Sequence, residues 1–185
     1  MSVYVDAFVN PTPAQKLAES EGGRLNVAAF QARNTGNLQE AERLYLLAIA
    51  VKERGLGVDA MTTALSRNRL GEVHMLMGKF AEAEDNLGKA LEVRRRKGNP
   101  FDCAVTRENL AQVYEARGHL TEAREMRLEG EPDRNIVCGN YQCQGQSFGL
   151  DKLNKFSQCK SMYYCSQTCQ KADWKARHKK YCKAE

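Results

Sequence analysis

No run of apolar residues in this chain is long enough to cross a membrane; the apolar residues come in short periodic sets between charged ones. A membrane-spanning helix is therefore not expected. The start, Met1-Ser2-Val3-Tyr4-Val5-Asp6, has no basic stretch followed by an apolar one and does not read as a secretory signal. Glycine-rich loops that would cradle a phosphate or a cofactor are missing, and no open stretch could hold a catalytic domain, so the chain is not expected to be an enzyme. Cysteine is nearly absent before residue 138: only Cys103 occurs there, at a helix start, where it reads as a small buried hydrophobe. Tryptophan occurs once, as Trp174. What the chain does have is six cysteines between 138 and 182. Without an export signal, that density points to a reducing compartment, cytoplasmic or nuclear, and to metal rather than disulfides.

Charge is uneven. Residues 133–185 hold ten Lys and Arg against four acids, while the rest of the chain is close to balance. Zinc bound by thiolates would lower that excess. The aromatics beside the basic run from Lys175 to Lys183 are Trp174 and Tyr181, which do not form a stacking ladder, so nucleic acid is not an expected partner.

Residues 1–11 carry no periodic pattern and read as an arm. Thr12 before Pro13 predicts a helix start, with a hydroxyl cap followed by proline where its missing N–H costs nothing. A short helix over Ala14 to Glu21 then meets Gly22-Gly23, which is expected to break or bend it. The first division is thus 1–21, an arm and a short helix.

An internal repeat follows, over 22–130. Gly36-Asn37-Leu38-Gln39-Glu40-Ala41-Glu42, Gly78-Lys79-Phe80-Ala81-Glu82-Ala83-Glu84 and Gly118-His119-Leu120-Thr121-Glu122-Ala123-Arg124 align, with their glycines 42 and then 40 residues apart. Ala48 and Ala90 stand seven residues beyond the second-helix alanines of the first two copies. A period of this size with two helices per unit predicts a helical-hairpin solenoid of three pairs. The glycine ends one helix in a left-handed residue, and the alanines let helices approach closely. Leu44, Leu47 and Val51, like Leu87 and Leu91, are spaced to supply the apolar stripe. The third copy has Arg127 and Gly130 where earlier copies have Tyr45 or Leu87 and Ala48 or Ala90, so it is expected to be short and to end the array. His74 and His119 read as surface residues.

On these motifs, with Asn109-Leu110-Ala111 and Tyr114 before Gly118, residues 22–130 resemble the tetratricopeptide family, and its kinesin-light-chain type in particular. The resemblance implies a concave peptide-holding face on the first helix of each pair, drawing on Asn26, Phe30, Arg33, Asn68, Glu72, Met75, Asn109 and Gln112.

Glu129-Gly130-Glu131-Pro132-Asp133 ends the helical pattern, and 131–185 is a different kind of sequence. Its candidate ligands are spaced Cys138-x4-Cys143, Cys159-x5-Cys165-x3-Cys169 and His178-x3-Cys182. Zinc takes four nitrogen or sulfur ligands, and an i, i+4 pair on a helical segment shares one face. Seven ligands suffice for one complete site and one that lacks a ligand. Too few apolar residues lie between them for a metal-free fold, so zinc binding here is folding energy.

The run from Tyr164 to Trp174, with His178 and Cys182, closely resembles the MYND zinc finger. The resemblance implies two interleaved sites: Cys138, Cys143, Cys165 and Cys169 in the first, and Cys159, His178 and Cys182 in the second with a further cysteine. That further position is Phe156 here. The second site is therefore expected to be weakened or empty, with Phe156 as an apolar plug; the alternatives are water or an oxygen such as Asp151 as fourth ligand. The resemblance also implies a groove for short proline-containing peptides, formed by a backbone edge with Ser157, Gln170 and Trp174. The fold class expected for the whole is mostly α, a three-repeat solenoid followed by a small zinc-stabilised finger. The expected function is a zinc-dependent protein–protein interaction adaptor. The alternatives are a nucleic-acid-associated regulator using the basic finger, or a non-catalytic relative of the lysine methyltransferases that carry a MYND finger.

Overall fold

Thr12 caps the first helix, α1 (Pro13–Asn34), reciprocally. Its hydroxyl accepts from the Gln15 N–H at 3.2 Å, and the Gln15 side chain accepts from the Thr12 N–H at 2.8 Å. The computed structural model describes residues 10–145 and 147–182, so most of the expected arm, residues 1–9, lies outside the described residues. α1 then runs unbroken through Gly22-Gly23, contrary to the expected break. The physical reason is close approach: Gly22 is buried, and a Cβ there would lie 2.6 Å from Cγ of Lys52 on the facing helix.

Two compact units result, Met1–Asn99 and Pro100–Glu185. The first contains α1, α2 (Leu38–Leu56), α3 (Met61–Leu76) and α4 (Phe80–Lys97). The second contains α5 (Pro100–Arg117), α6 (Leu120–Leu128) and the cysteine-rich module. The units divide at Asn99–Pro100, whereas the composition changes near 131. No helix among the described residues is long and apolar enough to cross a membrane.

Each helical pair turns at the repeated glycine. Gly36, Gly78 and Gly118 have φ of 82°, 75° and 85°, where a side chain is disfavoured. The following N–H groups, of Asn37, Lys79 and His119, reach back to the carbonyls of Ala32, His74 and Tyr114 at 2.9, 2.9 and 2.8 Å. This closure satisfies orphan carbonyls at the helix end identically in all three copies. Ala41, Ala83 and Ala123 are fully buried, as close helix approach requires.

The apolar stripe of α2 is rotated from its expected position. The buried residues are Ala41, Tyr45, Ala48, Ile49 and Lys52, and Leu47 is 43% exposed. Tyr45 packs with Leu70 and Val73 of α3, and this bulky contact fixes which face turns inward. His74, expected on the surface, is buried on α3 with Nε2 2.9 Å from Glu42 Oε1 on α2; Lys79 also holds that carboxylate, at 2.7 Å.

Lys52 is the unexpected member of the α2 face. It is 2% exposed, and its Nζ donates to the Thr62 carbonyl at 3.0 Å and to Ser66 Oγ at 2.9 Å. Burial pushes its pKa down from 10.5 to about 8, against a weaker opposing pull from Glu19. Between these values the unfolded chain binds a proton that the folded chain does not, so stability contributed at this site rises with pH. The full rise corresponds to roughly 3 kcal/mol. Lys52→Met never carries the buried charge. Its urea midpoint is expected to exceed that of the parent at pH 7, with the advantage shrinking by pH 10; an advantage that grows with pH would contradict the buried-charge account.

Candidate metal centre and peptide-binding surface

In the second unit the chain leaves α6 and forms an antiparallel bridge between Ile136 and Phe148. It then folds β1 (Asn154–Lys155) onto β2 (Tyr163–Tyr164). The connection is tight. The Phe156 N–H donates to Met162 O at 2.8 Å, the Lys160 N–H to Phe156 O at 3.1 Å, and Lys160 takes a left-handed φ of 51°. Cys159 sits inside this turn, fully buried.

Ser166 caps the next helix, α7 (Gln167–Ala176), by accepting from the Cys169 N–H at 3.2 Å. The cap fixes Cys165 and Cys169 on either side of the helix start, with sulfurs 3.6 Å apart. Cys143 is presented by a turn in which its N–H donates to Asn140 O at 2.9 Å, and its sulfur lies 3.5 Å from that of Cys165. The sulfurs of Cys138, Cys143, Cys165 and Cys169 all lie within 4.8 Å of one another.

A tetrahedral zinc with Zn–S arms of about 2.3 Å would separate its sulfurs by ~3.8 Å, so the donor set fits such an ion. Burial pushes the Cys138 thiol up, well beyond the usual thiol range. Burial also raises Cys169, but hydrogen bonds with Asn140 and Ser166 outweigh it and bring the thiol to about 7. Crowded sulfurs of this kind ionise together when a cation sits among them.

A second group comprises Cys159, His178 and Cys182, again within 4.8 Å. His178 is fully buried, and its Nε2 is 3.4 Å from Cys159 Sγ. A zinc bound to both, with arms of about 2.3 and 2.0–2.1 Å, would place them ~3.6 Å apart. This group has three donors among the described residues. Phe156, 7% exposed, packs with Cys159, Trp174 and Cys182; its ring stacks on Trp174 at 5.4 Å and meets His178 edge-on at 5.0 Å. Asp151 is not among the donors and pairs with Arg134 at 2.9 Å. The side-chain oxygen of Gln158 is 3.8 Å from Cys182 Sγ.

Of the expected peptide-binding residues, Ser157 is exposed just after β1, and Gln170 and Trp174 are half-buried one turn apart on α7. The outer edge of β1 has no strand partner among the described residues. Several residues expected on the repeats' peptide face are already engaged. Asn68 donates to Glu72 at 2.8 Å and accepts from Arg94 at 3.2 Å, Asn26 accepts from Ser66 at 3.0 Å, and Gln112 donates to Glu108 at 3.0 Å. Phe30 is 43% exposed.

The sequence reading missed a buried charge cluster in the second unit. Arg127, 1% exposed at its side chain, forks onto Glu108 at 2.7 and 3.0 Å, reaches Glu115 at 3.3 Å and donates to the Ser161 carbonyl at 2.9 Å. Burial alone would raise the Glu115 carboxyl, but Arg127, Arg177 and His178 outweigh it and hold the pKa at about 2. Arg177 bridges Glu115 at 2.8 Å and Asp173 at 3.0 Å, and Asp173 accepts from the Tyr164 hydroxyl at 2.8 Å. The available signal was Arg127 itself: a cation in the register of Tyr45 and Leu87, below Glu108 and Glu115 two turns apart on α5.

Comparison with known proteins agrees with this architecture. The family described as Tetratricopeptide repeat matches residues 23–96 and 61–127, and that described as MYND finger matches 137–182. The tetratricopeptide match thus extends into the unit that carries the finger. No curated protein matches the chain significantly. Among solved structures, the chain is similar to BtubC (BKLC) from P. vanneervenii, with 21% identity and a TM-score of 0.59, over 68% of this chain and 48% of that one. It is also similar to a Podosopora anserina putative kinesin light chain with nearly identical TPR-like repeats, with 19% identity and a TM-score of 0.55, over 64% and 55%. The chain spans about half the length of these structures, which bear on its fold alone. Tetratricopeptide repeats and MYND fingers are interaction modules rather than catalytic domains. The chain belongs to the tetratricopeptide repeat family and carries a MYND finger.

Proposed function

We propose that the chain is a zinc-dependent, non-catalytic adaptor whose finger captures short proline-containing peptides while its helical repeats, over 22–130, hold a second protein. The observation that carries this reading is the half-buried Trp174 on α7, its indole stacked on Phe156, the residue that directly follows β1. An indole so placed offers an apolar face and an N–H to a partner. Ser157 and Gln170 complete the peptide site. Cys138, Cys143, Cys165 and Cys169 hold one zinc. Cys159, His178 and Cys182 hold a second more weakly, because Phe156 supplies no ligand. When bound, the metals supply folding energy to the module that displays the groove.

The test is a screen of proline-containing peptides against the full chain, with zinc and after chelation. Selective capture that survives moderate salt and is lost on chelation is the expected result. Absence of capture would contradict this reading, and binding of nucleic acid with a steep salt slope would replace it with the nucleic-acid one. Trp174→Ala is expected to abolish peptide capture while the four-cysteine cluster keeps its zinc. Loss of that zinc in the same variant would make the indole a core residue only.

A further inference from the structure

Glu115 belongs to a repeat helix, yet it touches the finger at three points. It is fully buried on α5. Its Oε1 accepts from Ser161 Oγ at 3.1 Å and lies 3.6 Å from His178 Nδ1, and its Oε2 accepts from Arg177 Nη1 at 2.8 Å. Ser161 Oγ is in turn 3.2 Å from the sulfur of Cys159. His178 Nδ1 is buried and has no hydrogen-bond partner, with Glu115 Oε1 as the carboxylate oxygen facing it, while Nε2 faces Cys159. A ligating imidazole binds metal through one nitrogen and is oriented by the partner of the other.

On the zinc reading above, we propose that Glu115 is a positioning residue for the second metal site. Closing the 3.6 Å gap to His178 Nδ1 when metal binds would let it accept the Nδ1 proton, which fixes the tautomer that leaves Nε2 free for the ion, and it orients Ser161 toward Cys159. The last helical pair thereby becomes a structural part of a metal site whose direct donors all lie in the finger.

Cobalt titration of the full chain, with competing chelator, tests the proposal in the parent and in Glu115→Gln. The four-sulfur site and the site with two sulfurs and one nitrogen have different visible spectra, so each serves as reference for the other. The parent is expected to load both. Glu115→Gln is expected to weaken the second by roughly 10–100-fold and leave the first within about twofold. Equal weakening of both sites, or an unchanged second site, would overturn the proposal. A parent that loads only the four-sulfur site would overturn it too, with the zinc reading of the first site intact; a parent that loads neither would overturn the zinc reading itself. Should the variant fail to fold, ¹⁵N NMR of the zinc-loaded parent decides. Metal on His178 Nε2, with an Nδ1 proton at a shift typical of a bond to carboxylate, supports the proposal, and metal on Nδ1 contradicts it.

Discussion

Arg127→Ala is expected to destabilise the Pro100–Glu185 unit by about 3–5 kcal/mol, the usual effect of removing one partner from a buried ion pair. Arg127 is 1% exposed at its side chain and satisfies two carboxylates and a main-chain carbonyl at once. Alanine would leave Glu108 without its bidentate cation and the Ser161 carbonyl without its donor. Glu115 would keep only Arg177 as a close guanidinium partner. Glu108 is 8% exposed at its side chain and cannot be fully hydrated without opening the unit, so its desolvation cost is no longer offset. The single tryptophan, Trp174, lies in this unit, and its fluorescence in a urea titration reports the effect directly. In Arg127→Ala/Glu108→Gln the orphaned charge is gone. The double variant is expected to be less destabilised than the sum of the singles by about 1–3 kcal/mol. Additive losses would mean that the Arg127–Glu108 pairing contributes nothing to stability.

The second large effect concerns metal. Structural zinc in small fingers contributes about 10–16 kcal/mol of apparent binding energy, comparable with the whole stability of a domain. The finger's core is small: Phe156, Met162 and Tyr164 gathered around Cys138 and Cys159. Cys165→Ala removes the sulfur that lies 3.5 Å from Cys143 and 3.6 Å from Cys169, and so breaks the four-sulfur site at its centre. This variant is expected to lose tight metal at that site and to show the red-shifted Trp174 emission of an opened core. Chelation of the parent is expected to do the same. Native emission and unchanged metal content in Cys165→Ala would contradict the assigned ligand set.

Features governed by local rules were legible in the sequence. Gly36, Gly78 and Gly118 announce the turns because a left-handed residue is needed there, and Thr12-Pro13 announces α1 because capping is a matter of three residues. The two donor groups follow from cysteine and histidine spacing together with the family resemblance, and the structure brings the same seven side chains together in the same partition. What was not legible depends on partners distant in sequence. Gly22 reads as a breaker until Lys52 is seen against it, and His74 reads as exposed until Glu42 is found 32 residues away. Arg127 reads as the end of a repeat. Its partners lie 19 and 12 residues back and 34 forward, and Glu115 meets Arg177 across 62. The same change that ends the apolar register of the array supplies the cation around which the last helical pair and the finger pack.

Hydrogen exchange of the full chain, with zinc bound and after chelation, tests most directly whether metal and the Arg127–Glu115 cluster make α5, α6 and the finger one cooperative unit. Amides of α5 and α6 are expected to lose protection together with those of β2 and α7 when the metal is withdrawn. Full protection of α5 and α6 in the chelated chain, with only the finger exchanging, would contradict that unity.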